Sequence, residues 1–208
     1  LLIKSDLIKL FASLLTSLNT KLQLNCLKFY ASISFECLEA TKAILNTNYY
    51  DFQLIDLISS YLYRENQFEL QLFAAKCLTN LYRSSLLIES DLCDMMDVQD
   101  SSCPAFKLIN NQLIRSKTLP TLIRLCVRFS NSYKNACING TTTITSDSEN
   151  LINTANSSSL DPSSSYTLNI IYLIDTISTL TYLIELNSDL QQIASYLEQI
   201  IPTLIQNI

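Results

Sequence analysis

Two helical patterns recur in one order at nearly one spacing, and this limits the possible folds more than any other feature of the chain. "LIKLFASLL" from Leu7 to Leu15 aligns with "LIDLISSYL" from Leu54 to Leu62, an offset of 47 residues. "LQLNCLKFYASI" from Leu22 aligns with "LQLFAAKCLTNL" from Leu70, an offset of 48. Parts of a third copy stand further apart, with "LIRLC" at Leu122 and "STLTYL" (Ser178 to Leu183) matching "KCLTNL" (Lys76 to Leu81). "IPTLI" from Ile201 repeats "LPTLI" from Leu119 and opens a fourth. A unit of this size cannot cover its own apolar side, so copies must stack.

Aligned, the longer helices give columns that test this reading. Leu22, Leu70 and Tyr172 share a column, as do Cys26, Ala74 and Thr176. Tyr30, Leu78 and Leu180 follow, then Ile33, Leu81 and Leu183. Steps of four, four and three residues keep these positions on one face of a helix, the face expected to be buried. Pro120 and Pro202 fall near the starts of the "PTLI" helices, where a missing N–H is harmless. The expected fold is all-α: a right-handed, armadillo/HEAT-like α-solenoid of stacked helical repeats. Repeats are expected over about 1–35, 36–87, 107–187 and 188–208.

Two stretches interrupt the array. Residues 131–167 are rich in Ser, Thr and Asn, hold the single Gly and lack apolar periodicity, so a solvated, disordered insertion is expected. Residues 89–105 form an acidic loop in which Glu89, Asp91, Asp94, Asp97 and Asp100 meet no Lys or Arg. That segment alone equals the formal net charge of −5, so the remainder is neutral and offers no basic face for nucleic acid.

Much catalytic chemistry is excluded by composition. With no His, Ser/His/Asp and Cys/His nucleophile arrangements cannot form within the segment. One Gly excludes a glycine-rich phosphate cradle, and no cofactor is expected. The spacing of Asp91, Asp94, Asp97 and Asp100 leaves a metal-dependent hydrolase as a remote rival. The alternation, bend glycine and terminal Glu of a calcium loop are missing, so no metal is expected. Seven cysteines without a CxxC read as reduced thiols packed as small hydrophobes, which suggests a cytoplasmic and nuclear location. The apolar run 169–187 contains Asp175 and lacks basic flanks, so it reads as a buried helix rather than a membrane span. The chain opens on "LLIKSD" without Met, and a longer parent chain is expected.

The face opposite the buried columns carries Lys28, Lys76 and Ser178, and four residues later Ser32, Asn80 and Tyr182. Stacking turns these positions into a stripe, and curvature makes one such surface concave. Lys28, Ser32, Lys76, Asn80, Arg83 and Tyr182 are therefore the candidate partner-binding groove. Its donors would meet the unsatisfied backbone of an extended segment. The plainer alternative is an ordinary wet helix face.

"AAKCLTNL" resembles the third helix of an armadillo repeat, with Lys76 in the place of its tryptophan and Asn80 in that of its peptide-binding asparagine. "LQLFAAKCLTNLYRSSLL", "KTLPTLIRLC" and "TLTYLIELNSDLQQIAS" are more specifically similar to the C-terminal region of the armadillo subunits of CTLH (GID-type) ubiquitin ligases. The resemblance implies a non-catalytic scaffold that joins a substrate receptor to RING-bearing and Ran-binding-protein-M-like subunits. An armadillo adaptor of another pathway is the alternative. The glycine that usually separates the first two helices of an armadillo repeat is absent here.

Overall fold

The computed structural model describes residues 5–35, 37–93, 109, 111–113, 117–142 and 162–186. Helices α1 (Ser5–Leu15) and α2 (Thr20–Ile33) come first. α3 (Leu38–Leu45) and α4 (Leu54–Ser60) follow, with a 3-10 turn at Tyr61–Tyr63 extending α4. α5 (Phe68–Cys93) is the longest helix described, ahead of α6 (Thr118–Thr142) and α7 (Pro162–Leu186).

Local chemistry sets several ends. The Asn19 side chain accepts from the Leu22 amide at 3.1 Å and caps α2, satisfying one of the N–H groups a first turn leaves open. Pro120 lies in the first turn of α6, whose first backbone bond runs from Thr121 N to Lys117 O at 3.0 Å. Pro162 opens α7, where its fixed φ suits the helix.

The three long third helices form a row: α2 packs on α5, and α5 packs on α7. α1 supports α2, α3 and α4 support α5, and α6 lies along α7. Each unit thus rests on its sequence neighbour, as an all-α solenoid requires. The aligned columns form the seam. Cys26, Ala74 and Thr176 are fully buried, Tyr30, Leu78 and Leu180 are buried, and so are Leu70, Leu81 and Leu183. Leu22, Ile33 and Tyr172 are half-buried and pack against this core. Polar ties accompany the apolar packing. The Tyr30 hydroxyl donates to Ile8 O at 2.7 Å, and that of Tyr61 donates to Leu15 O.

Two expectations need correction. The insertion does not begin at residue 131, because α6 runs on to Thr142 and α7 starts at Pro162. Leu122, Cys126 and Phe129 are buried and Tyr133 is half-buried; these positions keep one helical face past the end of the strongly apolar run. The acidic stretch is not all loop either, since the α5 backbone stays helical to Cys93. Residues 94–105, including Asp94, Asp97 and Asp100, lie outside the described residues, as do 143–161 and the expected repeat at 188–208. The α3–α4 connection is a small antiparallel hairpin of β1 (Asn48–Tyr49) and β2 (Phe52–Gln53). Among the described residues, no helix is long and apolar enough to cross a membrane.

Candidate functional site

The outward side of the α2–α5 pair holds a cleft of about 550 Å³. Four of the sequence-selected residues, Lys28, Ser32, Lys76 and Asn80, line it together with Phe35 and Phe73. α2 supplies Lys28 and Ser32 one turn apart, and α5 supplies Phe73, Lys76 and Asn80 on one face. Arg83 and Tyr182 adjoin them: the Arg83 guanidinium lies 5.3 Å from the Phe35 ring and 5.2 Å from the Tyr182 ring. The six residues therefore meet along one surface spanning α2, α5 and α7.

Their working states differ. The Lys76 ammonium pairs with the Asp175 carboxylate of α7 at 2.9 Å, with both side chains about a third exposed. Its charge is thus partly spent on joining two repeats. The Asn80 amide donates to Ala31 O at 2.7 Å, and the Ser32 hydroxyl donates to Lys28 O at 2.9 Å. Asn80 is buried and ties α5 to α2, so its N–H donor is not open to a partner as the sequence suggested. Lys28 lines the cleft. Its ammonium lies 5.0 Å from the Phe73 ring centre, and no carboxylate pairs with it among the described residues. Lys76 approaches the same ring at 5.9 Å, which gathers two cations about one aromatic ring.

The alignment columns missed Phe35, Phe73 and Asp175. Phe73 lies one turn before Lys76 and Phe35 one turn after Ser32, but neither falls in an aligned column. Asp175 carried a clearer signal, because a carboxylate in the middle of an apolar run needs a cation and the aligned helices carry Lys28 and Lys76.

Three of the described cysteines belong to the core. Cys26, Cys77 and Cys126 are buried, unpaired thiols. Burial pushes the Cys77 thiol up to about 12 and that of Cys126 up to about 11, and it raises Cys26 as well. Such thiols keep their protons at neutral pH and are poor nucleophiles.

No family model matches the chain. Armadillo repeat-containing protein 8 of Pongo abelii is 29% identical over 115 residues, 55% of this chain and 14% of the relative. The Xenopus laevis protein of the same name is 26% identical over 126 residues, covering 61% of this chain and 15% of that protein. The Mus musculus protein is 28% identical over 115 residues, covering 55% and 14%. The matched span is thus a small part of each relative's length. With α2, α5 and α7 stacked in sequence order, these similarities establish the resemblance: the chain is similar to armadillo repeat-containing protein 8, and its fold is an all-α solenoid of the armadillo type.

Proposed function

We propose that this chain is part of a non-catalytic armadillo scaffold in a CTLH/GID-type ubiquitin ligase. It would dock the substrate receptor onto the RING-bearing core and a Ran-binding-protein-M-like subunit, in the cytoplasm and nucleus. The resemblance to armadillo repeat-containing protein 8 carries this reading. The geometry adds a mechanism. Consecutive repeats hold Lys28, Phe73 and Lys76 in one cleft, while Arg83 sits between Phe35 and Tyr182 at its margin. A surface built on helices presents such groups in fixed register, so a partner segment meets it with little ordering of the scaffold.

An adaptor role in another pathway is the second reading. The Lys28 ammonium favours it, because its charge would suit an acidic extended tail from many sources. Affinity capture of the full-length protein from native lysate separates the two. The ligase reading requires recovery of RING, substrate-receptor and Ran-binding-protein-M-like subunits, and a Lys28→Glu, Arg83→Glu variant should recover about tenfold less of at least one of them. Recovery of none of these subunits by the unaltered protein would overturn it.

A further inference from the structure

The hairpin between α3 and α4 carries a surface that the α2–α5 cleft does not use. Tyr49, Tyr50 and Phe52 of the hairpin and Leu57 of α4 open onto a cleft of about 810 Å³ beside the end of α1. Tyr50 is 82% exposed and Phe52 67% exposed, so the rings serve no core. Tyr49, half-buried against the core, and Tyr50 stand edge to face with ring centres 4.6 Å apart, and the Tyr50 ring remains open to solvent. Tyr50 also holds φ at 53° in the first central position of the two-residue loop, where glycine is ordinarily placed. A large side chain in that conformation burdens the fold, and its ring lies in solvent.

The polar groups share one character. Asp56 is exposed on the rim and Asp51 is exposed in the turn, and no lysine or arginine lines the cleft. Neither aspartate has an ion-pair partner among the described residues. The Tyr50 hydroxyl is likewise without a hydrogen-bond partner there and can donate.

We propose that this cleft docks an extended, proline-containing partner segment that carries lysine or arginine. A polyproline-type strand offers apolar ring edges to aromatic walls and carbonyl groups with no internal donor, one of which the Tyr50 hydroxyl satisfies. A cation on the same segment stacks on an open ring face and pairs with Asp56 or Asp51. A helical partner fits less well, because its carbonyls are already bonded and the tyrosine donor would lack an acceptor.

The test is fluorescence polarisation of the full chain with a labelled proline-rich peptide bearing two arginines. The unaltered protein should bind it saturably. Phe52→Ala and Tyr50→Gly should each weaken binding about fivefold or more, and replacing the arginines by glutamates should do the same. Tyr50→Gly keeps the assay informative about folding, since glycine suits the observed φ and the variant should melt no lower than the parent. Absence of peptide binding, or binding insensitive to both variants and to charge reversal, overturns the proposal. So does concentration-dependent self-association that Phe52→Ala abolishes, because a second copy would then cover the cleft.

Discussion

Asn80 and Ser84 stand one turn apart on α5 and reach the last turn of α2. Asn80 donates to Ala31 O, and the Ser84 hydroxyl donates to Ser34 O at 2.8 Å. A helix end leaves its last carbonyls without intrahelical partners, and these two side chains supply them from the neighbouring repeat. Ala31 O also accepts from the Ser34 hydroxyl at 3.3 Å, so Asn80→Ala should destabilise the protein by about 0.5–1.5 kcal/mol, the range for one net hydrogen bond. Urea denaturation of the variant beside Ser84→Ala and the double mutant measures it. An unchanged midpoint for Asn80→Ala would show that water replaces the amide without loss. The sequence marked Asn80 as special but misread the reason. Its acceptor lies 49 residues earlier in the chain, and no local pattern encodes that distance.

At the scale of elements, apolar periodicity located the seam, because the repeats bury equivalent columns against one another. Cys26, Ala74 and Thr176 could be aligned from letters alone, and all three are buried. Legibility failed where burial uses small or polar residues. Ser130 is buried at the edge of the loop-like stretch and Tyr133 is half-buried within it, and α6 runs on through both. The hairpin was illegible for another reason: its Tyr50 adopts the backbone conformation expected of a glycine. Between α5 and α7 the apolar seam is joined by the ion pair of Lys76 with Asp175, two groups about a third exposed. A pair of that exposure contributes only about 0.2–1 kcal/mol, since solvent screens it. A double-mutant cycle with Lys76→Met and Asp175→Asn should return a coupling in that range that shrinks in high salt. A coupling several times larger, insensitive to salt, would mean that the junction depends on this ion pair rather than on its apolar seam.

The molecule as a whole buries ionisable groups in their neutral forms, and its stability must therefore depend on alkaline pH. Burial raises the Cys26, Cys77 and Cys126 thiols above their ordinary value of 9.0. Burial raises the phenols of Tyr30 and Tyr61 above 10.0, and Tyr172 is pushed up to about 12 by burial and by the Glu69 carboxylate. Each group holds its proton more tightly when folded than when unfolded. Below the unfolded values both states are protonated, and the full stabilisation is present. As pH rises past about 9 the unfolded chain loses thiol protons first and is favoured, at up to about 1.4 kcal/mol per unit of separation for each group. The loss continues through the folded values of about 11 for Cys126 and about 12 for Cys77. The urea midpoint, measured with reductant present, should be flat from pH 7 to about 8.5 and decline steadily above it. Cys126→Ala should start from a lower midpoint and decline less steeply, because its own linkage is gone while the others remain. A midpoint that stays level to pH 11 would contradict a core in which successive helices enclose these thiols and phenols away from water.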